Sequence, residues 1–185
     1  MNTNFVINKY ENGSFSIRSF LSDQECDELI KQSEALGYEG ALIQTSLGEV
    51  AANEVRNNDR ILFDDYELAD RFFKRLRPFL PDEIDYWVPS GLNEKFRFYK
   101  YTPEQYFNWH VDGSFKRDYF EVSKLTVLFY LNSDFSAGAT EFEGEEVVPE
   151  KGMILVFPHK LRHQGVAPVG GVKYVLRSDV MYAKA

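Results

Sequence analysis

The 185-residue chain holds a single cysteine, Cys26, and three histidines, His110, His159 and His163. One thiol excludes an intramolecular disulfide and a multi-thiolate zinc cluster. The acidic neighbours Asp23, Glu25, Asp27 and Glu28 disfavour a reactive thiolate, so a half-buried helical cysteine is expected. Basic residues are few as well: 21 Lys and Arg against 29 Asp and Glu give a net charge of −8. That balance argues against nucleic-acid binding, which needs clustered cations to neutralise phosphates. The one basic cluster, Arg71, Lys74, Arg75 and Arg77, has helical spacing and reads as a solvated helix face. There is no run of eighteen apolar residues, and Met1-Asn2-Thr3-Asn4 does not open a basic-then-apolar leader. A reducing, cytoplasmic setting without a membrane is therefore expected, while the oligomeric state stays open.

What is abundant is aromatic. Phe 16 and Tyr 11 dominate a 16% aromatic share, which favours strands and bulky pocket walls. No repeat or linker divides residues 1–185, so one domain is expected. Its first part, residues 1–94, reads as mixed helices and strands packing on a core. Phe5-Val6-Ile7 and Phe15-Ser16-Ile17 flank an Asn12-Gly13 turn. Ser22 or Asp23 caps a helix over residues 24–36, with Glu25 completing a capping box on Ser22 and Gly37 ending it. A second helix is predicted over residues 66–79 from its apolar side, Leu68, Ala69, Phe72, Phe73 and Leu76. Residues 95–185 switch to short β-rich runs, at 96–101, 124–131, 147–148, 153–157 and 174–182. The fold class predicted is α+β, a double-stranded β-helix (jelly-roll) core buttressed by N-terminal helices.

Three histidines leave few ways to build a metal site. In His110-Val111-Asp112 the two ligand types are two residues apart, and on a strand they would share a face. A third ligand from a distant strand would complete a facial triad with open positions, the arrangement of non-haem Fe(II) oxygenases. His163, just past the 153–157 strand, is favoured for that place over His159, which Pro158-His159-Lys160 sets in an apparent exposed turn. The His-x-Asp spacing alone is weak, since chance supplies it readily and a satisfied core histidine explains it equally. Lys173 and Arg177, four apart on the last strand, share a face. Pointing inward, a cation there meets the far carboxylate of 2-oxoglutarate chelating the iron; pointing outward, both are ordinary surface charges.

Taken in order, these segments resemble the prolyl 4-hydroxylase-like branch of the 2-oxoglutarate/Fe(II)-dependent oxygenases. The resemblance runs from about Phe20 to Tyr182. It is carried by Phe20-Leu21-Ser22-Asp23-Gln24-Glu25-Cys26, Phe98-Tyr99-Lys100-Tyr101, His110-Val111-Asp112, Leu125-Thr126-Val127-Leu128-Phe129-Tyr130-Leu131-Asn132, Gly138-Ala139-Thr140-Glu141-Phe142 and His163-Gln164-Gly165. It implies catalytic iron ligation by His110, Asp112 and His163. It further implies that Lys173 holds the distal carboxylate of 2-oxoglutarate with support from Tyr101, Thr140 and Tyr130. Arg177 is a second cation or a substrate contact. Fe(II), 2-oxoglutarate and O2 are implied as cofactor and co-substrates, with ascorbate an optional reductant. The implied reaction is hydroxylation of an aliphatic C–H on a protein or peptide, with succinate and CO2 as co-products.

The hairpin reads Gly-Ala-Thr where the family usually has two glycines, and no separate peptide-binding domain is visible. Arg56-Asn57-Asn58-Asp59-Arg60 resembles a substrate-loop region, where two arginines could hold an acidic or peptide substrate or form surface salt bridges. Phe107, Trp109 and Phe115 are candidate walls for a dry site, and residues 113–122 a candidate lid. The rival readings are a hydroxylase of a free amino acid or other small molecule, a cupin-type metal enzyme and a non-catalytic jelly-roll binding module.

Overall fold

The computed structural model describes residues 5–40, 43–45, 48–50 and 55–184, so the reading of residues 1–4 lies outside it. The chain begins with a hairpin, β1 (Val6–Lys9) and β2 (Phe15–Arg18), turned at Gly13. Helix α1 (Asp23–Leu36) follows, and Ser22 is its N-cap. Ser22 Oγ accepts from the Glu25 N–H at 3.2 Å, and the Glu25 carboxylate accepts from the Ser22 N–H at 2.9 Å. This reciprocal box satisfies two of the helix's orphan donors. Cys26 lies on the buried stripe with Leu29 and Ser33, fully buried rather than half-buried, and burial pushes its thiol up to about 11.

Short strands β3 (Glu39–Gly40), β4 (Ile43–Thr45) and β5 (Gly48–Val50) precede β6 (Asp59–Asp64). Helix α2 (Tyr66–Leu76) is capped by Asp65, whose side chain accepts from the Leu68 N–H at 2.9 Å. The helix stops at Leu76 and not at residue 79; Arg77–Phe79 tighten into a 3-10 turn. Pro78 is the reason, because it has no N–H to continue the ladder and restricts the residue before it. Arg75 is no solvated cation: it grips Glu25 through two bonds of 3.0 and 2.8 Å and donates to the Phe20 carbonyl at 2.8 Å, joining α2 to α1. Among the described residues no helix is long and apolar enough to cross a membrane.

The remaining strands are β7 (Trp87–Leu92), β8 (Lys95–Tyr101), β9 (Phe107–His110), β10 (Glu121–Tyr130), β11 (Ser136–Ala137), β12 (Thr140–Phe142), β13 (Glu145–Val147), β14 (Ile154–Pro158), β15 (His163–Gly165), β16 (Pro168–Val169) and β17 (Lys173–Lys184). A large sheet runs β1-β2-β14-β10-β17-β8-β6-β3, with β7 also paired to β17. A smaller sheet, β13-β12-β15-β9, faces it. Strands from before residue 95 thus complete the large sheet; they do more than pack on a finished core.

The period of two along the strands divides the large sheet's residues between two environments. One face carries Phe96, Phe98, Val127, Phe129 and Leu176 against the helices, with the Phe72 and Phe129 ring centroids 4.9 Å apart. The other carries Tyr99, Tyr101, Leu128, Tyr130 and Val175 toward Phe142 and Val147 of the small sheet. Both faces being covered explains why residues 125–131 form a continuous apolar run with one polar interruption, Thr126. The mostly β architecture with few helices is that of a jelly roll.

Candidate metal and co-substrate site

Two strands of the small sheet bring the histidines together. His110 ends β9, His163 opens β15, and the two are direct register partners with ring centroids 4.2 Å apart. Asp112 is not on the strand. It lies just beyond the end of β9, where its N–H donates to the His159 carbonyl at 2.9 Å. Its carboxylate reaches within 3.7 Å of His110 Nε2 and 3.8 Å of His163 Nε2. The ligand atoms of all three residues lie within 4.8 Å of one another.

Backbone carbonyls set the imidazole tautomers. His110 Nδ1 lies 2.7 Å from the Asn108 carbonyl and His163 Nδ1 2.9 Å from the Leu161 carbonyl. A carbonyl can only accept, so each Nδ1 carries the proton and each Nε2 presents a lone pair to the cluster. Burial, then the neighbouring His163, pushes His110 down to about 4, and burial lowers His163 as well. Both rings are therefore neutral at pH 7. Burial would raise the Asp112 carboxyl, but Arg177 and the two histidines outweigh it and hold it at about 2. Two neutral nitrogens and one carboxylate form the donor set that fits a divalent iron ion.

Behind Asp112 lies a polar chain. The Thr126 hydroxyl donates to Asp112 Oδ2 at 2.6 Å and lies 2.9 Å from His159 Nδ1. His159 Nε2 is 2.7 Å from Ser123 Oγ. The single Thr126 proton goes to Asp112, so His159 Nδ1–H donates to Thr126 and Nε2 accepts from Ser123. His159 is thus 5% exposed, in contrast to the exposed turn expected, and both its nitrogens are used away from the metal cluster. On the other side, Arg177 donates to Asp112 Oδ1 at 3.1 Å and to Asp179 Oδ1 at 3.1 Å.

An inner cavity opens from the cluster, lined by Tyr101, Thr140, Lys173 and Arg177 together with Leu128 and Val175. Lys173 is 2% exposed and has no carboxylate partner among the described residues. Its Nζ donates to the Gly138 carbonyl at 2.6 Å and sits 5.0 Å from the Tyr101 ring centroid. Burial alone lowers its amine to about 7. The left-handed Gly138 (φ +73°) is required here, since a Cβ would stand 2.7 Å from Phe135 Cε2. Tyr130 does not line the cavity; its hydroxyl lies 2.7 Å from Thr140 Oγ1 and supports the site at one remove.

A second, outer groove of about 770 Å³ reaches the cluster from solvent, lined by Arg56, Arg60, Arg97, Tyr99, Phe107 and His110 among others. Phe107 stacks on the His110 ring with centroids 3.5 Å apart. Of the three expected wall residues only Phe107 faces the site. Trp109 lies beneath Arg162, and Phe115 beside Arg117. A register irregularity between β15 and β9 turns Phe107 and His110, three residues apart, to one side. The expected lid over residues 113–122 is tethered: Phe115 N–H donates to Ser123 Oγ at 2.8 Å, Arg117 pairs with buried Glu94 and with Glu121, and Glu121 and Val122 already belong to β10.

Thr126 and Asp179 escaped the sequence reading as site residues, and His159 entered it only as a rival metal ligand. Thr126 alone left a signal, as the one polar residue inside an apolar strand.

Comparison with known proteins agrees with this geometry. Residues 96–178 match the model of the 2OG-Fe(II) oxygenase superfamily. No curated protein matches the chain. Among solved structures, a viral collagen prolyl hydroxylase from Paramecium bursaria Chlorella virus-1, in complex with 2OG, is similar at 24% identity and TM-score 0.64, over 92% of this chain and 96% of that one. A Pseudomonas putida prolyl-4-hydroxylase is similar at 16% identity and TM-score 0.64, over 95% and 94%. A Trichoplax adhaerens prolyl hydroxylase in complex with a hypoxia inducible factor peptide fragment is similar at 18% identity and TM-score 0.67, over 94% and 84%.

Proposed function

We propose that this chain, a 2-oxoglutarate- and Fe(II)-dependent oxygenase by the domain spanning residues 96–178, hydroxylates an aliphatic C–H of a peptide or protein residue in the manner of prolyl 4-hydroxylases. The observation that carries the reading is the meeting of two cavities at the His110, Asp112 and His163 cluster. The inner one is closed by an uncompensated ammonium and the outer one is open to solvent. Bound iron and 2-oxoglutarate supply activation of O2, with succinate and CO2 as the co-products.

The chain's own residues then have defined tasks. His110 and His163 offer Nε2 lone pairs, and Asp112 offers a carboxylate held by Thr126 and Arg177. Lys173 receives the distal carboxylate of 2-oxoglutarate, with the Tyr101 and Thr140 hydroxyls beside it. Leu128, Val175 and Phe107 exclude water from the reacting centre. The outer groove admits the substrate next to His110. Support for a peptide substrate comes from the fold neighbours, which include prolyl hydroxylases and one peptide complex.

The test is incubation with Fe(II), 2-oxoglutarate, O2 and a library of proline-containing peptides. Succinate formed in step with a +16 Da peptide product is expected. A +16 Da product on a free amino acid and on none of the peptides would replace the peptide reading with a small-molecule one.

A further inference from the structure

We infer that the substrate carries a carboxylate close to the C–H it presents and that Arg56 receives that carboxylate; this deepens, and rests on, the oxygenase reading above. Arg56 is 4% exposed, yet it lines the outer groove beside His110 and Asp112. Its guanidinium is clamped between two rings, 4.5 Å from the Tyr99 centroid and 4.3 Å from the Phe107 centroid. Nε donates to Asn58 Oδ1 at 2.8 Å, and the wholly buried Asn58 is itself fixed by donating to the Asp59 carbonyl at 2.9 Å. The fork is thus oriented before any ligand arrives.

Its Nη2 is buried without a hydrogen-bond partner among the described residues. Buried cations are ordinarily paired, because removal from water disfavours an uncompensated charge strongly. Arg177, the other buried cation of the groove, obeys this rule by pairing with Asp112 and Asp179, and the partly exposed Arg97 pairs with Asp179 at 3.2 Å. Arg56 has no carboxylate partner among the described residues.

The two cavities separate Lys173 and Arg56, both buried and both without a carboxylate partner among the described residues. Lys173 lines the inner cavity and not the groove, whereas Arg56 lines the groove and not the inner cavity. Both compartments share Tyr99, Phe107, His110, Asp112 and Arg177. One anion per compartment follows: 2-oxoglutarate on Lys173, and a second carboxylate, carried by the substrate, on Arg56. A planar guanidinium matches a carboxylate through two parallel bonds, which a lysine could not do. The carboxylate belongs either to an acidic side chain in a peptide or to the α-carboxylate of a free amino acid.

The experiment scores binding without turnover. Protein loaded with Mn(II) and 2-oxoglutarate in the absence of oxygen is titrated by calorimetry with hexapeptides holding a central proline and aspartate at each flanking position in turn. Matched peptides carry asparagine instead, and L-proline is paired with L-prolinamide. At least one acid member should bind about tenfold tighter than its amide twin, the scale of a lost charge-assisted bond. In Arg56→Gln the two twins should bind alike. A preference among the peptides assigns the carboxylate to a side chain, and one confined to proline over prolinamide assigns it to a free amino acid. No acid preference in any pair, or one that Arg56→Gln retains, overturns the inference. Should that variant not fold, Arg56→Met, which keeps an unbranched stem between the two rings but removes the charge, is read the same way. Succinate release on adding Fe(II) and oxygen is recorded separately, so an acid preference without succinate would sink the oxygenase reading and leave the carboxylate site standing.

Discussion

Thr126 stands behind Asp112 with its hydroxyl donating to Oδ2 at 2.6 Å, and that hydroxyl has no second proton to give. His159 must therefore supply the bond that holds it. The carboxylate ligand is oriented by a chain running back to Ser123. Thr126→Val should lower Mn(II) affinity by about 10- to 100-fold, the range found when outer-sphere partners of metal ligands are removed. Metal titration of the folded variant checks this, and an unchanged affinity would disconnect the chain from the site.

His110→Ala, Asp112→Ala and His163→Ala should each abolish one-to-one metal binding and 2-oxoglutarate-dependent succinate release. His159→Ala should keep the one-to-one stoichiometry with weakened affinity, because both its nitrogens point elsewhere. The opposite pattern, with His163 dispensable and His159 essential, would reverse the assignment of the third ligand.

Lys173 predicts a pH dependence of defined sign. Burial lowers its amine to about 7, whereas in the unfolded chain a lysine stays protonated up to about 10.4. Between those values the unfolded state holds the extra proton. Stability of the ligand-free protein should therefore rise with pH from about 7 to about 10 and be flat below, where both states are protonated. Lys173→Met should flatten that rise in melting curves taken across pH. The affinity for 2-oxoglutarate should move oppositely, falling above about pH 7 as the ammonium is lost. Lys173→Ala should raise the KM for 2-oxoglutarate about 10- to 100-fold, the equivalent of losing a charged hydrogen bond of about 1.5–3 kcal/mol. If only an Arg177 variant raised it, the anchor would be misassigned.

Gly138→Ala combines two penalties, a left-handed backbone and a Cβ 2.7 Å from Phe135 Cε2. A loss of stability on the order of 1–3 kcal/mol is expected. The Gly138 carbonyl is also the acceptor for Lys173 Nζ, so the KM for 2-oxoglutarate should rise with it. A variant with lowered melting temperature and unchanged KM would uncouple the turn from the co-substrate cavity.

Local signals in the chain were readable where local forces decide the outcome. Ser22 and Glu25 wrote the start of α1, and the switch to period-two patterning announced the strands. The meeting of His110 with His163 was legible because the triad needed a third ligand from a distant strand and only His159 competed for that place. The rest depended on long-range register. Asp112 slips off the end of β9 because the His159 carbonyl takes its N–H, a contact across 47 residues that spacing cannot reveal. His159 looked exposed beside Pro158, and only the arrival of Ser123 and Thr126 from β10 makes it interior. Phe107 was indistinguishable from Trp109 and Phe115 until the irregularity in the β9 pairing set its side. Arg56 read equally as a substrate contact or a surface salt bridge, and only two rings from other strands bury it.

Strand β17 pairs with β8 from Lys173 to Arg177 in an unbroken register, and its irregularities lie further along, at Met181 and Tyr182. The two inward cations are therefore separated by four residues of rigid ladder, about 13 Å at the usual strand rise. That ladder is hydrogen-bonded on both sides, to β8 and to β10, so neither cation can change its place along the strand without breaking the pairing of the large sheet.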